Sequence, residues 1–319
     1  MNNRLFIVVP CYNEEMVLPE AAKRLEDKLI SLVQSGKIAE NSRVLFVDDG
    51  SADRTWPMIR QLAADSRYFA GLSLSRNRGH QNALLAGLMA AREQADMIVS
   101  MDADLQDDID AVDRMVEAYL DGCDVVYGVR ARRDSDTFFK RFTAEGYYKL
   151  LHAMGCRVVF NHADYRLLSR RALDALSQYG EQNLFLRGIV PMLGFKTATV
   201  SYARGERFAG ESKYPLKKML ALASDGVFSL SLKPVRAVTV TGLLLLLLTM
   251  VLLVVSLVGL FMGYTLLNWK IITISVWGVG GLILTALGLV GEYVGRTYLE
   301  SKQRPRYHIG ETVGLEREE

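Results

Sequence analysis

The sequence predicts an α/β protein: a mostly parallel sheet with helices on both faces, followed by a membrane-embedded carboxyl-terminal part. Three observations carry that expectation. Up to about residue 130, short β-branched runs alternate with longer amphipathic segments, as strands joined by crossover helices do. The strand-like runs are apolar almost throughout, which is how strands covered on both faces read. Finally, no Asp, Glu, Lys or Arg occurs in residues 237–269 or 271–291, and a membrane-spanning helix needs roughly 20 apolar residues.

Residues 5–9, 44–47, 72–74, 97–101 and 125–127 read as the strands. Residues 15–32, 55–64, 81–94 and 109–120 read as the helices between them, with Ser51 or Asp53 capping the second. From 131 to 232 the alternation fades into helical pieces and basic loops. Residues 215–231 repeat apolar side chains at Leu216, Met219, Leu220, Ala223, Val227 and Leu230, with Lys217, Lys218 and Asp225 on other faces. That is the pattern of an amphipathic helix, lying at a membrane surface, as its place just before an uncharged run suggests, or packed on the soluble core. Two spans follow, one within 237–264 and one within 271–291, joined by a turn at 266–270. The expected division is a cytosolic domain over 1–214, an interfacial helix over 215–232, a two-span hairpin over 233–297 and a polar tail over 298–319.

The turn between the spans carries only Lys270, whereas Lys213, Lys217, Lys218, Lys233 and Arg236 precede the hairpin and Arg296, Lys302, Arg304 and Arg306 follow it. Positive residues collect on the cytoplasmic side, so a multi-pass protein of the plasma (inner) membrane with both termini in the cytoplasm is expected. Gly278, Gly280, Gly281, Gly288 and Gly291 either mark a face of the second span that another helix could approach closely or simply soften the helix.

Half of the 319 residues are hydrophobic and the net charge is only +2, which excludes intrinsic disorder and gives no electrostatic footprint for nucleic acid. Cys11, Cys123 and Cys156 are odd in number and lack C-x-x-C spacing, so neither a disulfide framework nor a zinc site is expected. The apolar stretch 5–9, ended by Pro10 and then Glu14 and Glu15, is too short for a signal-peptide core.

Polar residues gather just after strand ends, where an open α/β sheet binds ligands. The strongest motif is Met101-Asp102-Ala103-Asp104-Leu105-Gln106-Asp107-Asp108. In an extended segment residues i and i+2 point the same way, so Asp102 and Asp104 would present two carboxylates together. Hard oxygen ligands suit Mg²⁺ or Mn²⁺, completed by waters and substrate phosphates. Val8 to Glu15 closes the first strand and Phe46 to Ser51 the second. Within them Pro10, Tyr12, Asn13, Glu14, Asp48, Asp49, Gly50 and Ser51 are candidates to read a base and ribose, Tyr12 supplying an apolar face. Arg76, in Arg76-Asn77-Arg78-Gly79-His80, adds charge after the third strand, and Ala103 and Gln106 belong to the same candidate nucleotide site. His80, His152 and His162 are not spaced as metal ligands.

The ordered motifs VVPCYNEE, VDDGS, RNRGHQNAL and DADLQD, with Asn161 to Leu168, Arg204 to Tyr214 and the terminal hairpin, resemble a family 2 glycosyltransferase of the GT-A fold. More narrowly, they resemble the polyprenyl-phosphate glycosyltransferases, which include bactoprenol glucosyltransferases and dolichol-phosphate mannose synthases. The resemblance spans nearly the whole chain. It implies transfer of a sugar, with inversion, from a nucleotide donor to the phosphate of a membrane-embedded polyprenol such as undecaprenyl phosphate. UDP-glucose is the leading donor; GDP-mannose and amino-sugar donors remain alternatives. It further implies a homo-oligomer, a tetramer in such relatives. Asp164 matches the residue assigned there as general base. A phosphate monoester has a second pKa near ~6, however, so the acceptor needs little help from a base. Asp164 could instead orient the acceptor, the sugar hydroxyls or a neighbouring arginine, or serve the structure by pairing with Arg166 or capping the helix near Ser169. Cations must line the path of an anionic acceptor, and Arg130, Arg132, Arg204, Arg207 and Lys213 are the candidates.

Competing classes lack their marks. A processive synthase would carry Gln-x-x-Arg-Trp and more spans, and no G-x-G-x-x-G or G-x-x-x-x-G-K-[ST] occurs. An idle nucleotide-sugar scaffold would predict erosion of the acidic pair or the basic loop, and both are intact.

Overall fold

The computed structural model describes residues 3–130, 162–181, 185–203 and 269–315, together with isolated positions between 238 and 258. Six strands run parallel: β1 (Leu5–Cys11), β2 (Arg43–Asp48), β3 (Phe69–Leu74), β4 (Met97–Ser100), β5 (Val125–Arg130) and β7 (Thr197–Tyr202). Strand β6 (His162–Ser169) lies antiparallel between β4 and β5, and β8 (Ile309–Val313) pairs antiparallel with β3. The sheet order is β7-β5-β6-β4-β1-β2-β3-β8.

Alternation along the strands builds two cores. Leu5, Ile7 and Val9 of β1 face the layer containing α1 (Leu18–Gln34), α2 (Thr55–Asp65) and α4 (Ala111–Leu120). Phe6 and Val8 face α3 (His80–Arg92), α5 (Arg170–Ser177) and α6 (Leu186–Met192). All seven residues of β1 are buried, and each large apolar side chain removed from water contributes about 1.5–3 kcal/mol. The expected strands and helices up to residue 130 are present, and the sheet is the mostly parallel, doubly covered GT-A type.

Two regions differ from expectation. Residues 162–169 and 197–202 are strands rather than helical pieces or loops. In β6 the apolar run is broken by Asp164 and Arg166, both buried and paired with each other, so a strand covered on both sides carries an ion pair where an aliphatic run was the cue. The expected polar tail is also ordered differently. Helix α7 (Trp269–Ser301) runs to Ser301, and Ile309–Val313 then covers the edge of β3, where unpaired backbone groups would otherwise remain. Trp56 Nε1 donates to Glu311 Oε2 at 2.6 Å, and Ser75 N donates to the His308 carbonyl at 2.9 Å. Gly314 adopts φ +69°, and a Cβ there would stand 2.8 Å from the Phe69 carbonyl, so the strand can close against β3 only without a side chain.

At 1.5 Å per residue α7 is about 50 Å long, more than a hydrocarbon core of about 30 Å requires. Its stretch Gly278–Ser301 is long and apolar enough to cross a membrane, the one such helix among the described residues. Ile283, Leu284, Leu287 and Val290 point outward, and Val238 and Gly242 of the preceding segment lie beside Leu282, Ala286 and Leu289. The interfacial segment 215–232 and most of the first span lie outside the described residues.

Candidate active site

Strand β1 has β2 on one side and β4 on the other, and the chain leaves in opposite directions from this point. A crevice therefore opens beyond the carboxyl ends of β1 and β4. Tyr12 is 43% exposed there. Asn13 and Leu105 both take positive φ, 54° and 57°, uncommon conformations for residues with side chains that occur where loops are held to a set shape.

Much of the polar chemistry on this rim joins one loop to another. The backbone N–H groups of Asn13, Glu14 and Glu15 donate to Ser51 Oγ, Thr55 Oγ1 and Asp53 Oδ2, while Asn13 Oδ1 accepts from Ala52 N. Asp48 accepts from Ser51 N and Ser73 Oγ. Asp49 accepts from Arg78 N at 2.7 Å and Gly79 N at 2.9 Å. Both aspartates are buried, and burial pushes the Asp49 carboxyl up despite those two backbone donors. Of the expected cap residues, Asp53 Oδ1 accepts from Thr55 N at the start of α2, whereas Ser51 serves the first loop. Pro10 is buried within β1, while Glu14 and Arg76 stand at the mouth, half-buried and exposed.

Gly50 is the tightest point. It adopts φ +67°, and a Cβ would lie 2.6 Å from Asn77 N and 2.7 Å from the Arg76 carbonyl carbon. Gly50→Ala is expected to cost more than about 1 kcal/mol, because the conformation itself excludes the side chain. Urea unfolding checks this, and an unchanged midpoint would contradict it.

The acidic loop departs from the expected extended form. Strand β4 ends at Ser100, and Ala103 and Asp104 lie in a turn. Ala103 is buried, Asp102 and Asp104 are half-buried, and Asp104 Oδ1 accepts from Gln106 N at 3.2 Å. Leu105 packs on Val17 and Ala21 beneath the first loop. The loop's far end is fastened to β7 and β6: Tyr202 Oη donates to Asp107 Oδ1 at 2.6 Å, and Tyr165 Oη donates to the Asp108 carbonyl at 2.8 Å, with the two rings edge to face. Among the described residues no cluster of three or more His, Cys, Asp or Glu could hold a metal. Two hard-oxygen carboxylates at an open crevice nevertheless fit a cation that draws its remaining ligands from waters and phosphates.

Burial, and after it the charge of Asp102, push the Asp107 carboxyl up to about 6. Its ordinary value is ~3.9, so the folded chain takes up this proton more readily than the unfolded chain. Its contribution to stability is therefore full below ~3.9 and lost as pH rises through about 6. In metal-free protein, wild type is expected to gain stability relative to Asp107→Asn as pH falls through this window. Parallel unfolding curves for the two proteins would refute the assignment.

On the other face of the sheet stands a line of charges that sequence spacing did not reveal. Continued two residues past β4, the antiparallel register of Ser100 with Arg166 brings Asp164 level with Asp102. His80 Nε2 lies between them, 3.6 Å from Asp102 Oδ1 and 3.7 Å from Asp164 Oδ2. Asp164 pairs with Arg166, accepts from Arg187 Nη2 at 3.0 Å and Nε at 3.3 Å, and accepts from Gln81 Nε2 at 3.2 Å. Burial alone would raise this carboxyl, but Arg187, the neighbouring His80 and Arg166 hold it well below the usual carboxylate range. The helix beginning at Arg170 is capped by Ser169, whose Oγ accepts from Ala172 N, not by Asp164. Gln81, His80 and Arg187 were missed as site residues; the signal was the RNRGHQ motif for the first two, and none for Arg187.

Of the expected acceptor cations, Arg130 ends β5 opposite Tyr202, with its charge beside Asp107. Arg132, Arg204, Arg207 and Lys213 lie outside the described residues, as do His152 and Cys156. Cys11 and Cys123 are buried free thiols.

A mostly parallel, doubly covered sheet with carboxylates around its switch-point crevice defines a GT-A class of architecture. Residues 6–177 match the glycosyl transferase family 2 profile. The chain is 48% identical over 305 residues to a Bacillus subtilis glycosyltransferase, YkoT, covering 96% of this chain and 90% of that one. It is 35% identical to a bactoprenol glucosyl transferase of Shigella phage SfX and 34% identical to a prophage bactoprenol glucosyl transferase homolog of Escherichia coli, each match covering 96% of this chain and 98% of the relative. Among solved structures, it is similar to glucosyl-3-phosphoglycerate synthase from Mycobacterium tuberculosis, with a TM-score of 0.45 at 19% identity over 72% of this chain and 78% of that one. The chain belongs to glycosyl transferase family 2.

Proposed function

We propose that this glycosyltransferase is anchored in the plasma membrane and moves a sugar from a nucleotide-diphosphate donor, UDP-glucose in the leading reading, to the phosphate of undecaprenyl or another polyprenol at the cytosolic face. The observation that carries the reading is the crevice with Asp102 and Asp104 at its rim, on a chain that also contains an exposed apolar helix, α7. The bactoprenol glucosyl transferases similar along nearly the whole chain support the choice of acceptor.

In this reading Tyr12 faces the base, and Glu14, Arg76 and Gln106 stand beside the donor, on loops held in place by Asp48, Asp49, Gly50, Ser51 and Asn13. Asp102 and Asp104 would hold Mg²⁺ or Mn²⁺, which neutralises charge developing on the leaving diphosphate. An oxygen of the acceptor phosphate attacks the anomeric carbon opposite the diphosphate; the new C–O bond forms as the old one breaks, inverting the centre. That oxygen is largely deprotonated at neutral pH. Holding the lipid phosphate beside a cytosolic donor supplies proximity, the task of the interfacial segment 215–232 and the hairpin 233–297. Arg130, Arg132, Arg204, Arg207 and Lys213 receive the acceptor anion in the same reading. Both termini are cytoplasmic, and copies of the chain associate as a homo-oligomer.

The test is incubation of purified full-length protein, Mg²⁺ and undecaprenyl phosphate with a panel of labelled nucleotide sugars. Label in the lipid phase with one donor supports the reaction and identifies the sugar, with GDP-mannose or an amino sugar in place of UDP-glucose correcting only the donor. No lipid-phase label with any donor would favour a nucleotide-sugar-binding scaffold and overturn the proposal.

A further inference from the structure

The loop that carries Asp102 and Asp104 is pinned at three points. Where it leaves β4, Met101 N donates to the Val8 carbonyl at 3.1 Å. In its middle Leu105, at φ 57°, packs on Val17 and Ala21. At its far end two tyrosines reach it from different strands. Tyr202 Oη of β7 donates to Asp107 Oδ1 at 2.6 Å, and Tyr165 Oη of β6 donates to the Asp108 carbonyl at 2.8 Å. The half-buried acidic pair lies between the first pin and the last.

The far pin is assembled from three strands. Strand β5 separates β6 from β7 in the sheet, yet the two rings meet edge to face with centroids 5.2 Å apart. Gly128 of β5 leaves room for this, since a Cβ there would stand 2.8 Å from Tyr165 Cδ1. Tyr165, Tyr202 and Asp107 are all buried. A buried phenol needs an acceptor, but a backbone carbonyl meets that need at lower cost than a carboxylate withdrawn from water. Although burial and Asp102 push the Asp107 carboxyl up to about 6, it is largely ionised at neutral pH. Its bond from Tyr202 is then charge-assisted, roughly twice as strong as a neutral one. The carboxylate costs the fold something that a carbonyl would not, and what it adds is a stronger hold on the end of the loop.

We propose that Tyr202 and Tyr165 are positioning residues for a divalent cation: through Asp107 and the Asp108 carbonyl they hold the turn so that Asp102 and Asp104 keep the spacing a cation requires. This rests on the assignment of the acidic pair to Mg²⁺ or Mn²⁺ above. Mg²⁺ demands near-ideal oxygen geometry, and groups that orient metal ligands from behind typically account for about tenfold or more in metal affinity.

The experiment titrates full-length, metal-free protein with Mn²⁺, alone and with UDP present, following free Mn²⁺ by electron paramagnetic resonance against protein-free blanks. Wild type is compared with Tyr202→Phe, Tyr165→Phe, Asp104→Asn and Leu173→Ala. Both Phe variants keep the ring and lose only the hydroxyl. Leu173 is buried in the core on the other face of the sheet, so Leu173→Ala lowers stability without touching the loop. Tyr202→Phe is expected to weaken Mn²⁺ binding by about tenfold and Tyr165→Phe by about fivefold, with Leu173→Ala within about twofold of wild type. An affinity in Tyr202→Phe within about twofold of wild type would overturn the inference. An equal loss in Leu173→Ala would overturn it too, by making the effect one of general destabilisation. If Tyr202→Phe does not fold, Tyr165→Phe decides by the same margin. Asp104→Asn separates this inference from the reading beneath it. Wild type that binds no Mn²⁺, or Asp104→Asn that binds it as wild type does, sinks the metal assignment and the positioning role together. Weakened binding in Asp104→Asn beside unchanged binding in Tyr202→Phe keeps the metal assignment and overturns the positioning role alone.

Discussion

Replacing Asp104 with Asn should reduce metal-dependent sugar transfer by about a hundredfold or more, the scale of losing electrostatic stabilisation aimed at a developing charge. Asp104 sits half-buried on the turn after β4 and outside both cores, so the variant should fold. The Asn side chain keeps an oxygen for Gln106 N but loses the charge that attracts a divalent cation. Label transfer to the lipid phase, measured with and without chelator, reads the effect. Wild-type turnover in Asp104→Asn would show that the acidic pair does not hold the metal, while leaving membership of the family intact.

Asp164→Ala should destabilise the fold more than Gly50→Ala or Asp107→Asn. It removes the counter-ion of a wholly buried arginine, and breaking such a pair costs about 3–5 kcal/mol. The pH dependence has a definite sign. Because the folded-state pKa is depressed, the contribution of Asp164 is fully present above the unfolded value of ~3.9 and is lost as pH falls through the lower, folded value. Urea midpoints of variant and wild type should therefore lie far apart at neutral pH and converge in acid. A neutral-pH midpoint close to wild type would mean that Arg166 finds other compensation.

The two predictions separate two kinds of carboxylate along one sheet rim. Asp102 and Asp104 are half-buried and lie on a turn, where charge can be offered to a ligand. Asp48, Asp49 and Asp107 are buried and hold neighbouring loops. The motifs assigned Asp48 and Asp49 to the nucleotide and Asp102 and Asp104 to the metal and gave Asp107 no task, since each group follows an apolar strand and the sequence does not show which carboxylates are already engaged. Only the hydrogen bonds sort them: Asp49 receives Arg78 N and Gly79 N, and Asp107 receives the Tyr202 hydroxyl.

Local order was legible in the residues themselves. The β-branched runs and amphipathic segments up to residue 130 specify β1 to β5 and α1 to α4, and the charge-free stretch 271–291 lies within α7, because these patterns repeat within a few residues and require no distant partner. The tertiary structure decided what depends on partners far apart in sequence. Strand β6 takes its antiparallel place through pairing with β4 and β5, distant in sequence, and tolerates Asp164 and Arg166 in its buried run because they neutralise each other. Strand β8 owes its place to the open edge of β3 rather than to its own exposed side chains. The charged line from Asp102 to Arg187 likewise exists only when α3 and α6 pack over β6; Gln81, which steadies it, is 83 residues away from Asp164 along the chain. Periodicity records which face of an element leaves water, whereas the pairing of buried charges is fixed by contacts that form only once the sheet has assembled.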